Sequence, residues 1–341
     1  MLREDILSKI NSGNYSFLQS SPELQSLIYL AASGSYGYGT HNDESDLDLR
    51  GVAIEPVECL FGLGDFEQFE SQETDTVIYG LKKFTRLCLC ANPNMLELLG
   101  LDEDCVAFTS ESFELLRANS HLFLSRAVIK SFGNYALSQL RRLKNALARS
   151  EDNSEALEMH LLETMNSLKD KFNERYAHME GGFINLRLAE SKKKDLSQEI
   201  IMDISLKNYP LRDFAFEYEN LSSLLHSYNK LRHRNRKKDD KHLFKHAMHL
   251  IRLLLTGIDI LDGKGIITRR SGDLELLSNI RNGSFSFEEI FLIVDECQER
   301  FEDSAKRTKL PGCPDEPAVV KLIKKIYIDC FNFAGTQPHP R

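Results

Sequence analysis

Apolar residues at positions 2, 6 and 10 repeat at helical spacing, which predicts a short amphipathic helix ending near Gly13. Leu27 to Ala32 is a short apolar run that halts at a glycine-serine turn, and it predicts a strand. Asp46 to Ile54 alternates polar and apolar positions and stops before Pro56, predicting a second strand. Val77, Ile78 and Tyr79 predict a third, running into a helix marked by Leu81, Phe84, Leu87 and Leu89. Asn92-Pro93-Asn94 interrupts that helix, because a residue before proline avoids helical geometry, and a new helix starts at Met95 to Leu99.

The pattern changes after about Asp102. Phe132, Ala136, Leu140, Leu143 and Leu147 form one helical stripe, and Leu157, Leu161, Met165 and Leu168 form another across a polar gap from Arg149 to Glu155. Ile200 to Leu206 is expected to pair as a short strand with Leu211 to Phe216, whereas the stretch between Gly181-Gly182 and the lysines 192 to 194 carries no assignment. Between Lys230 and Lys245 stand eight Lys or Arg against two Asp, the most basic window in the chain. It leads into a helix whose buried face is Leu243, Ala247, Leu250, Leu254, Ile258 and Leu261. Its polar stripe is His242, Lys245, His246, His249 and Arg252. The tail after Phe331 is expected to fray. The fold class expected is therefore α+β: a small mixed-sheet domain over residues 1–128, then a mainly helical domain over 129–335.

Composition adds bounds. The 341 residues, 42% hydrophobic and 28% charged, are ordinary for a globular protein with room for two cores. No apolar run approaches a membrane span and the start is acidic, so a cytoplasmic location without membrane contact is the expectation. The seven cysteines are odd in number and never form a zinc-knuckle spacing, which suits reduced thiols. A net charge of −8 argues against general coating of nucleic acid, leaving room for a local basic patch.

Within this frame, candidate chemistry sits between the first two strands. Gly34 allows a tight turn and close backbone approach to a phosphate, and Ser35 adds a hydroxyl. Asp46 and Asp48 lie two residues apart, so a strand projects both from one face while Leu47 and Leu49 face the core. Convergent hard-oxygen ligands suit Mg²⁺ or Mn²⁺, and two such ions roughly 3.5–4 Å apart serve phosphoryl transfer. The third carboxylate expected is Asp75, with Glu73 behind it, against the alternative of a solvated acidic loop. Arg50 continues the aspartates' face, either to hold a phosphate or as a salt-bridge partner that fixes them. Lys82 and Lys83 open the helix after the third strand, as triphosphate contacts or as surface lysines, and Glu97 either orients the site or lies on a helix surface. Lys245, His246, His249 and Arg252 either neutralise a triphosphate and grip an acceptor or form a solvated face. His242 and His246 have helical zinc spacing but lack the neighbouring glutamate and a third ligand.

Taken together, the Gly34-Ser35 turn, the strand from Ser45 to Val52, the helix start Leu81-Lys82-Lys83-Phe84 and the run Ala91 to Leu99 resemble a nucleotidyltransferase family of the DNA polymerase beta superfamily. This family includes the polymerase-beta-like proteins of RNA repair operons. The resemblance continues through Phe132 to Ala136, Gln139 to Leu143 and His246 to Arg252. It implies a palm-like catalytic domain before a helical one, Mg²⁺ at Asp46 and Asp48 as two ions with nucleotide bound, and a nucleoside triphosphate such as ATP as donor. The implied reaction carries a nucleoside monophosphate to an acceptor hydroxyl, an RNA 3′ end being the first choice over a protein or small-molecule hydroxyl. The implied nucleotide contacts are Gly34, Ser35, Arg50, Lys82, Lys245, His249 and Arg252, and the catalytic carboxylates Asp46, Asp48 and Asp75. Rival readings are a nucleotide-sensing or antitoxin-type binding module, and a ribonuclease using Arg236 and His242.

Overall fold

The computed structural model describes residues 2–41, 45–150, 183–190, 198–205 and 240–334, with a few isolated positions between 166 and 222. Two compact units form: Met1–Gln139 together with Phe244–Arg341, and Leu140–Leu243. A cut after residue 128 therefore falls inside the first unit, to which the chain returns from Phe244 onward.

The first unit holds a five-stranded mixed sheet in the order β3-β4-β2-β1-β5. Its strands are β1 (Leu27–Ala32), β2 (Leu49–Ala53), β3 (Gln68–Ser71), β4 (Thr76–Gly80) and β5 (Val106–Thr109). β2 runs antiparallel to β1 and parallel to β4, with β3 and β5 antiparallel at the two edges. Residues 28 to 32 of β1 are all buried, so its unbroken apolar run is covered on both faces. The Leu2–Ser12 helix lays Leu2, Ile6, Leu7 and Ile10 on one face, where Leu30, Tyr36, Leu47 and Leu49 pack. A second cluster gathers Leu24, Ala53, Phe66 and Ile78.

Two registers fix what meets at one end of the sheet. Antiparallel pairing of Ala32 with Leu49 sets the residues that leave β1 beside those that enter β2. Parallel pairing of Leu49 with Thr76 then sets Asp48 beside Asp75. The opposite end pairs Ala53 with Gly80, where the Leu81–Leu89 helix begins.

Helices account for most of the rest. Asn92 caps the Pro93–Leu99 helix by accepting the Met95 N–H at 3.3 Å, with Pro93 at the first helical position where no donor is missed. The later helices of this unit are Leu274–Arg281, Phe287–Arg307 and Glu316–Ala334. A capping box between Ser286 and Glu289 starts the second of these. The long helices Ala127–Ser150 and Asp240–Leu261 each begin in one unit and end in the other.

Several expectations change. The second strand is Leu49–Ala53, shorter than Asp46 to Ile54, because the Asp48 carbonyl is taken by Ser33 instead of a ladder partner. In the Leu140–Leu243 unit, β7 (Gln198–Ser205) pairs with β6 (Phe183–Glu190), not with 211–216, where the described residues 211, 212 and 215 are helical. The antiparallel register of this pair sets residues 184, 186 and 188 opposite 204, 202 and 200. Residues 149 and 150 continue a helix, whereas 151–155, almost all of the Leu157 to Leu168 stripe, Arg236 and the tail after 334 lie outside the described residues. Among the described residues no helix is long and apolar enough to cross a membrane.

Candidate functional site

Where β1 ends, the chain enters a short helix, Gly34–Tyr38, with Gly34 at φ +58. Ser33 ties this entry to the start of β2: its N–H and its hydroxyl both donate to the Asp48 carbonyl, at 2.8 and 3.2 Å. The Asp48 carboxylate then lies directly over Gly34. A Cβ placed on Gly34 would fall on Asp48 Oδ2 and 3.1 Å from its carboxyl carbon. Glycine is required there twice over, by its left-handed backbone and by this approach. Ser35 is buried within the same helix and its carbonyl accepts the Thr40 N–H at 2.9 Å.

Asp48 shares a hydrogen bond with Asp75. Burial first, then the Asp75 partner, pushes the Asp48 carboxyl up to about 6. Asp75 moves the other way: burial opposes ionisation, but the hydrogen bond from Asp48 and the Arg50 guanidinium outweigh it. Below about pH 6 the pair therefore holds one proton, with Asp48 as donor and Asp75 as acceptor. Asp75 sits at φ +43, an uncommon conformation outside glycine, and Arg50 secures it by donating to the Asp75 carbonyl at 2.5 Å and to Oδ1 at 2.9 Å. Arg50 is accordingly the salt-bridge partner that positions an acid. Asp46 precedes the pair on exposed chain, and burial alternates from Asp46 to Leu49 as in an extended segment.

Positive charge faces this pair. Lys245, exposed on the Asp240–Leu261 helix, acts on both Asp48 and Asp75. His249 lies one turn further along; burial first, then Arg252, Lys245, His246 and Arg281, lowers its imidazole to about 3. Arg252 has another role. Its guanidinium lies 3.4 Å from the Tyr38 ring centre and pairs with Glu97 Oε1 at 2.5 Å, while Tyr38 donates its hydroxyl to Glu97 Oε2. Glu97 and Arg252 are only 4% and 5% exposed, so this trio locks the Gly34–Tyr38 helix from beneath and cannot meet solvent.

Of the residues singled out from sequence, Gly34, Ser35, Asp48, Arg50, Asp75 and Lys245 come together around one end of the sheet, with His249 next to Lys245. Lys82 does not join them. β4 separates it from Asp75 by a five-residue strand, about 17 Å long. There its side chain is exposed and its backbone N–H is capped by buried Glu55 at 2.7 Å. Sequence reasoning passed over Arg281, which donates to the Thr40 carbonyl and to Ser45 Oγ at 3.2 Å, and so pins both ends of the loop leading to Asp48. It also passed over Tyr15, close enough to Asp48 that its hydroxyl is raised by burial first and then by that carboxylate. Neither residue has a local motif to betray it, since both act across the tertiary fold.

Among the described residues no group of three or more His, Cys, Asp or Glu side chains is gathered as a metal cage. Two adjacent carboxylates sharing a proton under a cationic face nonetheless fit one hard divalent cation, which would take the place of that proton.

Residues 9–170 match the family model described as the RNA repair pathway DNA polymerase beta family, so this segment is similar to that family. The match takes in Gly34, Asp48 and Asp75 and ends before Lys245, His249 and Arg281. No curated protein and no solved structure matched the chain.

Proposed function

We propose that the protein transfers a nucleoside monophosphate from a nucleoside triphosphate, ATP being one such donor, to an acceptor hydroxyl, with an RNA 3′ end as the acceptor. One observation carries this reading: the Asp48 carboxylate, hydrogen-bonded to Asp75, occupies the space left by the missing side chain of Gly34. A phosphate drawn to the Gly34 turn would therefore lie against a carboxylate pair. The RNA repair context in the description of the matched family favours RNA over other hydroxyl acceptors.

Asp48 and Asp75, with Asp46 as an exposed third carboxylate, would hold Mg²⁺ or Mn²⁺. Such an ion supplies polarisation of the α-phosphate and charge neutralisation of the departing pyrophosphate. The acceptor oxygen forms a bond to the α-phosphorus as the bond to the bridging oxygen breaks and pyrophosphate leaves. The hydroxyl proton passes to a carboxylate oxygen of the Asp48–Asp75 pair. Arg50 keeps Asp75 in place through the step, and the Tyr38–Glu97–Arg252 lock keeps Gly34 and Ser35 from drifting.

The test is incubation with each α-labelled nucleoside triphosphate, Mg²⁺ and separate pools of RNA, DNA, protein and aminoglycoside. Label is expected on RNA. Label only on protein or aminoglycoside would replace the acceptor, and label on no pool would remove the transferase reading.

A further inference from the structure

Exposed apolar side chains gather at the end of the sheet away from Asp48, beyond the pairing of Ala53 with Gly80. Of the ten large apolar side chains exposed among the described residues, five lie on two segments: Val57, Phe61 and Leu63 after β2, and Val320 and Ile328 on the Glu316–Ala334 helix. The two segments meet. The Phe61 ring centre is 6.1 Å from that of Phe331, Phe331 stacks in turn on Tyr327, and the Tyr327 hydroxyl donates to buried Glu55 at 2.5 Å. Leu63 stands fully in solvent on a tight turn: the Gly64 N–H donates to the Glu58 carbonyl at 3.2 Å, and a Cβ on Gly62 would lie 2.5 Å from that same oxygen. A leucine held wholly in water adds nothing to the chain's own core, and a contiguous apolar surface of this kind marks a place of contact.

Charge divides this surface into two ends. Glu58 and Asp65 flank Phe61 and Leu63 in the chain, and burial first, then the carboxylates of Glu58, Asp65 and Glu23, raise the Cys59 thiol, which puts all three acids at one end. The helix end is basic. Val320, Lys324 and Ile328 follow one another at four-residue spacing and form an exposed row, with exposed Lys321 and Lys325 beside it, while Val319 and Ile326 are buried. Among the described residues no ion pair joins these acids to these lysines.

We propose that this face binds the same face of a second copy of the chain in a two-fold dimer, Phe61 and Leu63 of each copy packing against the Val320–Ile328 row of the other. A two-fold axis turns the acidic end of one copy onto the basic end of its partner, so one surface supplies both halves of a complementary contact. An anionic membrane fits less well. It would attract the lysines but repel Glu58 and Asp65, which stand beside the side chains that would have to insert. The Asp48 ends stay outside the contact, because β2 and β4, each five residues and about 17 Å long, lie between. The dimer therefore stands or falls independently of the transfer reading.

Sedimentation equilibrium of the full chain between about 1 and 100 μM tests this directly. The wild type is expected to pass from 39.0 kDa towards twice that mass as its concentration rises. Leu63→Asp changes a side chain that is fully exposed in the single chain, so it should fold and weaken the dimer at least about tenfold. Glu58→Lys and Lys324→Glu should each weaken association alone, and an equimolar mixture of the two should recover it, since each reversed charge then meets its opposite on the other copy. A wild type that stays at 39.0 kDa throughout would overturn the proposal, as would a dimer unmoved by Leu63→Asp. A mixture that fails to recover would overturn the two-fold pairing of acidic and basic ends. Binding of a monomeric wild type to vesicles of phosphatidylcholine and phosphatidylserine would overturn the dimer and give the face to a membrane.

Discussion

Asp48→Asn should make the protein more stable at alkaline pH. The Asp48 carboxyl rises from its ordinary 3.8 to about 6 because burial and Asp75 disfavour its charge. A raised value means that its favourable contribution is complete below the unfolded carboxyl's range and is lost as pH climbs through about 6. A rise of roughly two units corresponds to about 3 kcal/mol. Asp75 moves in the opposite direction, through the same hydrogen bond, and offsets part of this, leaving about 1–3 kcal/mol. Asparagine has no charge to lose, and its carboxamide N–H₂ donates to Asp75 as protonated Asp48 does. Urea unfolding in EDTA should therefore show Asp48→Asn more stable by about 1–3 kcal/mol near about pH 8, and little different near about pH 4.5. Mg²⁺ should close the gap by stabilising only the wild type. A variant no more stable than the wild type at the higher pH would refute the shared-proton description of the pair.

Gly34→Ala should destabilise by about 1–2 kcal/mol from backbone conformation alone, and lower transfer about 100-fold by displacing Asp48, as read from unfolding curves and initial rates. Arg252→Met leaves Glu97 charged and buried, so a loss of about 3–5 kcal/mol is expected in urea. Adding Glu97→Gln to that variant should recover part of the loss. Lys82→Ala, at the far end of β4, should leave both transfer and stability unchanged, since its side chain is exposed and the bond it makes to Glu55 comes from the backbone N–H.

What the sequence revealed followed from local pattern. β1 was legible because an apolar run meets a glycine turn, and the Pro93–Leu99 helix because its cap and proline are adjacent in the chain. β3 and β5 were hidden: each has four residues on a sheet edge, and Gln68, Glu70 and Ser71 carry no apolar run. Asp46-Leu47-Asp48 drew attention by its spacing, yet the closest partner of Asp48 is Asp75. That pairing follows from the parallel register of β2 with β4, a tertiary fact with no signature in spacing. Arg252 looked like its neighbours Lys245 and His249 on a polar stripe. Its burial depends on Tyr38 and Glu97, which reach it from two other helices. Arg281 was silent for the same reason, since the loop it pins lies 241 residues away from it along the chain.

The account stands most directly on the transfer of α-labelled nucleotide to RNA by the wild type and by Asp48→Asn, compared at the same pH and Mg²⁺ concentration. Labelled product from the wild type, and a fall of at least about a thousandfold in the better-folded variant, is the predicted result. Transfer at the wild-type rate by Asp48→Asn would contradict it.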